Sequence, residues 1–255
     1  MWVQHKLVYQ ERFVQSVDPL ADTGGYHWGL FVNLESILKN NLLSRNEVVR
    51  RQLRFADPSI ATVQDRRSST EAFAGGPKLH DYANLLWHPR NKGLYRVIQE
   101  NHESNVIVCE YRVEALELPG AIATSMWAPA VLPYRLPSEG FIPDVRERHR
   151  NYYESHFQGW NMMYWTNEEQ DEFGSHSSNK WKSYFLQAEV LIPTQIPSGL
   201  ISKIFVANED AGQRVLALLN QLAITGWIPH PITIVVCPSL FFGKPRPGLA
   251  FGKFR

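Results

Sequence analysis

Short apolar runs rich in β-branched residues recur along the chain, and polar segments containing glycine, proline or asparagine separate them. Runs of this length and composition are typical of buried β-strands. The pattern predicts strands over residues 106–113, 184–192, 201–207 and 232–237. Because strands outnumber amphipathic segments, they form the framework of the predicted fold.

Two segments have the spacing of an amphipathic helix instead. Leu34, Ile37 and Leu38 fall at i, i+3 and i+4, which predicts a short helix that Asn33 can cap. Residues 210–223 predict a longer helix that ends at Gly226. The apolar stripe of this second helix consists of Val215, Leu216, Leu219 and Leu222.

The order of these elements limits the fold class. The chain has no repeated βαβ pattern and no glycine-rich phosphate loop, so a Rossmann or P-loop nucleotide-binding domain is not expected. It also contains no internal repeat. A length of 255 residues fits one large domain or two small ones. We therefore expect an α+β protein.

The charge of the chain is nearly balanced, with 26 Lys and Arg residues, 25 Asp and Glu residues and a formal net charge of +1. A hydrophobic content of 44% with 20% charged residues is typical of a globular protein, and it excludes a disordered chain, a coiled coil and a collagen-like fibre. With so little net charge, a nucleic-acid partner would have to bind a local basic or aromatic surface.

The cysteines and the N-terminus bear on the compartment. Cys109 and Cys237 lie in apolar runs and are predicted to be buried thiols. Two cysteines are too few for a disulfide framework or a structural zinc site. The first residues do not form a signal peptide, and no apolar run approaches the roughly 20 residues of a membrane helix. We expect a soluble cytoplasmic protein without a membrane partner.

Residues 129–182 differ from the rest of the chain, because prolines, a charged run and a cluster of aromatic residues follow one another there. A long irregular insertion in a compact domain is usually functional or mobile, and a solvated surface excursion is the alternative. A basic and aromatic tail occupies residues 243–255. It is either a nucleic-acid-binding arm or a disordered end, of which we favour the second.

Glu189 is the most informative polar residue, because it lies inside the apolar run 184–192. A carboxylate in such a run either faces a cleft that uses its charge, has a buried partner such as Arg67, or occupies an edge position. The common serine-nucleophile and zinc-protease motifs are absent. His80 and His88, with Asp81 nearby, give only weak support for a metal site, since no other segment is rich in ligands.

Four segments acquire a further meaning when they are taken in order and at their separations. They are the stretch from Tyr-His-Trp-Gly at 26–29 to residue 43, Val-Gln-Asp-Arg-Arg at 63–67, Leu-His-Asp-Tyr-Ala-Asn-Leu-Leu-Trp-His-Pro-Arg-Asn at 79–91, and Gln-Ala-Glu-Val-Leu-Ile-Pro at 187–193. Together they resemble the DarT toxins, bacterial enzymes that transfer ADP-ribose from NAD⁺ to a base of single-stranded DNA. The resemblance extends from about residue 26 to residue 242.

The resemblance implies a single ADP-ribosyltransferase domain over residues 1–255, with a split β-sheet core and helices around an NAD cleft. It implies that Glu189 is the catalytic glutamate and that His27 holds the NAD ribose. Arg67 corresponds to an arginine that contacts NAD and helps to deprotonate the target base, although its high pKa favours an orienting role. The other residues implied to line the cleft are Trp28, Gly29, Ser36 and Leu43. NAD is the co-substrate, and no metal is expected.

The same resemblance places a substrate-recognition loop in the insertion at 129–182. Its candidate residues for base stacking and phosphate contact are Trp160, Tyr164, Trp165, Lys180 and Lys182. The chain departs from the family at Leu86-Trp87, where an aromatic pair is common, so the nicotinamide-stacking residue is expected at Trp87 or Tyr95. It also has Lys92-Gly93 where Pro-Met is frequent.

The implied acceptor is guanine or thymine in single-stranded DNA, and the Asp-Tyr-Ala-Asn sequence at 81–84 favours the guanine branch. The implied context is a toxin–antitoxin or phage-defence system with a macrodomain antitoxin of the DarG type. Two alternatives remain open: the same chemistry on RNA, and a catalytically lapsed module that binds NAD or nucleic acid.

Overall fold

The computed structural model describes residues 4–10, 24–73, 75–124, 134–135, 188–227 and 230–242, and the structural statements below concern these residues. The strands are β1 (Lys6–Tyr9), β2 (Gly25–Leu30), β3 (Leu42–Leu43), β4 (Tyr82–Leu86), β5 (Val106–Tyr111), β6 (Ile122–Ala123), β7 (Tyr134–Arg135), β8 (Glu189–Pro193), β9 (Gln195–Ile196), β10 (Ile201–Val206) and β11 (Thr233–Val236). The α-helices are α1 (Leu34–Asn40), α2 (Arg45–Arg50), α3 (Ala61–Ser69), α4 (Lys92–Asn101) and α5 (Glu209–Ile224).

Nine of these strands form one sheet in the order β1-β11-β10-β5-β2-β4-β8-β6-β7, and β3 pairs with β9 separately. β11 runs parallel to both of its neighbours, whereas the other pairings are antiparallel. The predicted α+β class is confirmed. The four predicted strands correspond to β5, β8, β10 and β11, while residues 184–187 of the second prediction lie outside the described part of the chain.

The sheet is weakly joined at its centre. β2 pairs with β5 along its whole length and β4 pairs with β8 along its whole length, but β2 and β4 are paired at Tyr26 and Leu86 alone. The two halves therefore diverge beyond this one pair. The split predicted for the β-core takes this form, a divergence within one hydrogen-bonded sheet rather than two separate sheets.

Helices cover both faces of the larger half-sheet. Val215, Leu219 and Leu222 of α5 are buried in the core cluster on one face, as their spacing predicts. Leu94 and Val97 of α4 are fully buried in a second cluster on the opposite face. Burial of one such side chain contributes about 1.5–3 kcal/mol to the free energy of folding. The packed half-sheet therefore supports β2 where it diverges from β4.

The ends of α5 agree with the sequence pattern. The Oδ1 atom of Asn208 accepts a hydrogen bond from the backbone N–H of Ala211 at 3.0 Å and caps the N-terminus. Gly226 follows the C-terminus with a φ of +77°, a conformation that favours glycine. The predicted stop at Gly226 is confirmed.

The predicted cap of α1 is wrong. Asn33 precedes the helix, but its side chain makes no capping hydrogen bond. Instead its amide holds both backbone groups of Ala56, donating to the carbonyl at 2.8 Å and accepting from the N–H at 2.9 Å. Asparagine suits either task, and the tertiary contact prevails over the local one.

Both cysteines are buried, as predicted. Burial raises the pKa of the Cys109 thiol to about 12, so this thiol remains protonated at neutral pH. Across the described ranges, no helix is both long enough and apolar enough to span a bilayer.

Candidate active site

A cavity of about 330 Å³ opens where β2 and β4 diverge. His27, Trp28 and Gly29 reach it from β2, and Glu189 reaches it from the first position of β8. In the sheet Leu86 pairs with both Tyr26 and Glu189, so the carboxylate-bearing residue lies level with the last pair that joins the two halves. The weak join of the sheet thus creates the cavity.

Glu189 forms a buried ion pair with Arg67. The Nη1 atom of Arg67 donates to both carboxylate oxygens, at 3.0 Å and 2.9 Å. Arg67 is 8% exposed and Glu189 is 2% exposed, and both line the cavity. The sequence left three positions open for Glu189, namely facing a cleft, paired with a buried partner or at an edge. The structure shows the first two at once, because the carboxylate is paired with buried Arg67 and also lines the cavity.

The backbone holds Glu189 in place from the other side. Its N–H donates to the Oγ1 atom of Thr124 at 2.8 Å, and its carbonyl accepts from the Thr124 N–H at 2.8 Å. Thr124 directly follows β6, so the start of β8 is fixed to a neighbouring strand while its side chain is fixed to α3. A carboxylate held at both ends is positioned before any ligand arrives.

His27 bridges the gap between the two halves of the sheet. Its ring forms a hydrogen bond with the backbone of Asn84 on β4, and burial lowers the pKa of the imidazole to about 4. The ring is therefore neutral at pH 7. A neutral histidine at this place offers a hydrogen bond to a polar ligand without adding charge.

The structure brings together all predicted cleft residues that it describes. The cavity is lined by His27, Trp28, Gly29, Ser36, Leu43, Arg67 and Glu189. The predicted substrate-binding residues Trp160, Tyr164, Trp165, Lys180 and Lys182 lie outside the described residues. The roles assigned to both groups remain predictions.

The expected positions for a stacking residue are wrong. Trp87 is 2% exposed within the core cluster, and Tyr95 packs edge-on against Phe242 with ring centroids 5.1 Å apart. Trp87 directly follows the end of β4 and lies in the core cluster with Ala83 and Leu85, on the face opposite Leu86. Neither ring lines the cavity. Trp28 provides an aromatic wall there instead.

A segment that the sequence pattern did not single out closes one side of the cavity. Every residue from 53 to 60 lines it. Asn33 holds Ala56, Arg45 pairs with Asp57, and Arg96 donates to the carbonyl of Pro58. No periodicity marks this segment, because three separate elements determine its position.

His80 and Gln64 were also missed as cleft residues. Both line the cavity, and the Nε2 atom of His80 lies 2.8 Å from the Oε1 atom of Gln64. His88 is buried and does not line the cavity, so the histidine pair considered for a metal is not brought together there. Across the described ranges, no group of three His, Cys, Asp or Glu side chains could hold a metal ion.

The cavity is electropositive. Four arginines line it, Arg45, Arg54, Arg67 and Arg96, against the carboxylates Asp57 and Glu189. With its histidines neutral, the lining side chains carry a formal surplus of two positive charges, although Arg96 also pairs with Glu100, which does not line the cavity. Such a wall favours an anionic ligand, such as one that contains a pyrophosphate group.

One family model and several solved structures are similar to this chain. A family model described as ssDNA thymidine ADP-ribosyltransferase, DarT, matches residues 26–242. No curated protein sequence matches the chain.

Solved structures of similar fold include Thermosipho africanus DarTG in complex with ADP-ribose, at 18% identity and a TM-score of 0.66 over 88% of this chain and 52% of that chain. The chain thus spans about half the length of that protein. Thermus sp. 2.9 DarT in complex with ADP-ribosylated ssDNA has 18% identity and a TM-score of 0.63, over 84% of this chain and 94% of that chain. The same Thermus protein in complex with NAD⁺ has 16% identity and a TM-score of 0.57, over 82% and 93% of the two chains. At these identities the similarity shows a shared fold.

Proposed function

The chain belongs to the DarT family, and from this premise we propose that it transfers ADP-ribose from NAD⁺ to a nucleobase of single-stranded DNA. The observation that carries the proposal is the buried pair of Arg67 and Glu189 in an electropositive cavity beside a neutral His27. Related structures have been determined with NAD⁺ and with ADP-ribosylated ssDNA, which supports the same reaction.

Glu189 supplies the charge that this reaction needs. Breaking the bond between nicotinamide and ribose generates positive charge at the ribose carbon, as in glycoside hydrolysis. A carboxylate that is already fixed stabilises this charge without a reorganisation cost. Arg67 holds the carboxylate in position with two hydrogen bonds, and its remaining N–H groups are available to orient the substrates.

The residues present fit NAD⁺. The surplus of positive charge on the cavity wall suits its two phosphates, and the neutral His27 suits a ribose hydroxyl group. Trp28 gives an apolar face for a ring of the ligand, and Ser36 and Leu43 complete the wall. We assign these residues to NAD⁺ binding.

The acceptor base is guanine or thymine in this proposal. The family description names thymidine, and the Asp-Tyr-Ala-Asn sequence at 81–84 favours guanine. A base must be unstacked to reach the ribose carbon, which favours single-stranded substrate. We assign its recognition to Trp160, Tyr164, Trp165 and Lys182 in the insertion at 129–182.

The biological setting follows from the chemistry. A transferase that marks DNA bases blocks replication, so we propose a toxin that a macrodomain antitoxin of the DarG type neutralises, with phage defence as its use. Its place would be the cytoplasm, where NAD⁺ and single-stranded DNA occur and where buried free thiols such as Cys109 stay reduced.

Transfer of labelled ADP-ribose from NAD⁺ to synthetic oligonucleotides tests the proposal. We expect label on single-stranded DNA, none on duplex DNA, and loss of label when either guanine or thymine is omitted from the oligonucleotide. Label on matched RNA alone would move the acceptor to RNA. Absence of label with retained NAD⁺ binding would contradict the proposal and favour a lapsed binding module.

Gly93 offers a test of the Trp28 wall. A Cβ atom at Gly93 would lie 2.8 Å from Cζ2 of Trp28 and 3.1 Å from Oδ1 of Asn91. Overpacking of this kind typically costs about 1–3 kcal/mol, and a shift of the Trp28 ring that relieves it would change the cavity wall. We expect Gly93→Ala to weaken NAD⁺ binding on the order of tenfold, as measured by calorimetry.

Gly199→Ala is the matched control for this substitution. A Cβ atom at Gly199 meets no heavy atom within 4 Å, and the residue lies outside the cavity wall. NAD⁺ affinity should therefore be unchanged. Equal affinities of the Gly93→Ala and Gly199→Ala proteins would show that the position of Trp28 does not matter for binding.

A further inference from the structure

The proposed reaction leaves one proton without a defined acceptor. A nucleobase nitrogen must lose its proton as it attacks the ribose carbon. Arg67 is a poor acceptor because a guanidinium group is fully protonated at neutral pH. Glu189 already accepts two hydrogen bonds from Arg67, and protonation would remove the charge that stabilises the ribose cation.

His80 has the geometry that this task requires. Its ring lines the cavity, and its Nε2 atom lies 2.8 Å from Oε1 of Gln64. An amide oxygen only accepts hydrogen bonds, so Nε2 is the protonated nitrogen of the neutral ring. The lone pair is then on Nδ1, which has no hydrogen-bond partner within the described ranges.

One helix places His80 next to the ion pair. Gln64 and Arg67 lie three residues apart on α3, and residues at this spacing share a helix face with Cβ atoms about 5–6 Å apart. The first therefore anchors His80, and the second anchors Glu189. The two side-chain pairs form adjacent parts of one wall of the cavity.

The turn that carries His80 is rigid. Asp81 accepts hydrogen bonds from the Lys78 N–H at 2.9 Å and from the amide of Asn46 at 2.6 Å. Its carbonyl accepts from the Thr194 N–H at 2.9 Å. One hydrogen bond within the turn and contacts from two other segments thus hold the turn, so the imidazole is positioned before substrate binds.

We propose that His80 is the general base that accepts the nucleobase proton, an inference that rests on the proposed function. As the bond from the base nitrogen to the ribose carbon forms, the bond to nicotinamide breaks and its electron pair leaves on the nicotinamide ring nitrogen. The proton of the base nitrogen moves to Nδ1 of His80, and the resulting imidazolium later releases a proton to water. Arg67 then orients the substrates without accepting a proton.

The electrostatic surroundings favour the form of His80 that can act as a base. Burial lowers the pKa of His80 below its ordinary value of 6.5, and the positive charges of Arg45 and Arg67 lower it further, while Asp81 and Asp57 oppose this. The ring is therefore neutral at pH 7. As the pH falls through this lowered pKa, Nδ1 becomes protonated and transfer should slow.

His80→Gln tests the inference with little change of shape. The glutamine amide still donates to Gln64 but has no basic nitrogen in place of Nδ1. We expect transfer to single-stranded DNA to fall about 100-fold or more, with NAD⁺ affinity changed less than about threefold. His102 is exposed and does not line the cavity, so His102→Gln is the matched control and should transfer at the wild-type rate.

Two further measurements separate a base from a structural contact. Gln64→Glu places a carboxylate against Nε2–H, which should raise the pKa of His80 and move the acidic limb of the rate profile to higher pH. Added imidazole should restore part of the activity of His80→Ala in proportion to its concentration.

The failures of the two proposals are distinct. If the wild-type protein transfers label while His80→Gln keeps its rate and its acidic limb, the base is not His80 and the proposed function stands. If the wild-type protein labels no nucleic acid, the proposed function fails and the role of His80 falls with it.

Discussion

Glu189→Gln should lower the rate of ADP-ribose transfer by about 1,000-fold or more while NAD⁺ still binds. The substitution keeps the shape of the side chain and an oxygen that can accept from Arg67, but it removes the negative charge opposite the ribose carbon. Loss of a single preorganised donor in an enzyme site costs about 100- to 1,000-fold in rate, and loss of a full charge in a buried site exceeds this. Transfer of labelled ADP-ribose at saturating NAD⁺ gives the rate.

A buried carboxylate elsewhere in the sheet provides the control. Glu110 on β5 is 6% exposed and pairs with Lys203 at 2.8 Å, but it does not line the cavity. Glu110→Gln makes the same chemical change at a site with no proposed part in the reaction. We expect it to retain transfer activity even though it lowers stability.

The comparison between these two variants tests whether the charge of Glu189 is required for transfer. Equal losses of transfer in Glu110→Gln and Glu189→Gln would show that activity follows the stability of the sheet rather than the charge in the cavity. A Glu189→Gln protein that retains more than a tenth of wild-type transfer would remove Glu189 from the mechanism.

Part of the fold could be predicted from local sequence, because β5, β8, β10 and β11 coincide with short apolar runs, whereas the cleft residues of β2 were indicated by the resemblance to the DarT family. The apolar run around Glu189 indicated a carboxylate that has a buried partner or faces a cleft, and the structure shows both features. The stripe of α5 and its stop at Gly226 follow from spacing and from the preference of glycine for positive φ. In each case the signal lies within a few residues of the feature it predicts.

The remaining features depend on contacts between distant parts of the chain. β4 and β8 are neighbours although about 100 residues separate them, so no local pattern marks the divergence of β2 and β4. The wall at 53–60 depends on side chains from three other elements. Asn33 is the clearest example of what local sequence cannot predict. Its amide could cap α1 or bind the backbone of Ala56, and the choice depends on a contact between segments that are distant in the sequence.

The alternation of strand residues explains the error about aromatic residues. The resemblance to the DarT family drew attention to positions 86 and 87 together, but Leu86 at the end of β4 and Trp87 directly after it point to opposite faces. Leu86 therefore lines the cavity while Trp87 enters the core. Gly93 accommodates the Trp28 ring, so the departures from the family at 86–87 and 92–93 both concern the aromatic wall.

The ion pair in the cavity raises the question of whether it stabilises the fold or serves the reaction. Arg67 and Glu189 are both nearly inaccessible, so each loses most of its hydration on folding. Attraction within a buried pair often only offsets this loss, and replacing both partners by apolar residues is frequently neutral or stabilising. Removal of one partner, in contrast, leaves a buried charge without compensation.

Glu189→Leu alone should therefore lower the free energy of unfolding by about 3–5 kcal/mol, whereas the double variant Arg67→Met with Glu189→Leu should lie within about 1 kcal/mol of the wild-type protein. Urea denaturation at pH 7 measures both values, and neither variant should transfer ADP-ribose. Glu110→Leu is the control, with a smaller loss expected because the Lys203 side chain is 45% exposed and can return to water. A double variant as unstable as Glu189→Leu would show that the pair supports the fold. Recovery of stability without recovery of activity would show that the buried charge pair serves the proposed reaction rather than the stability of the fold.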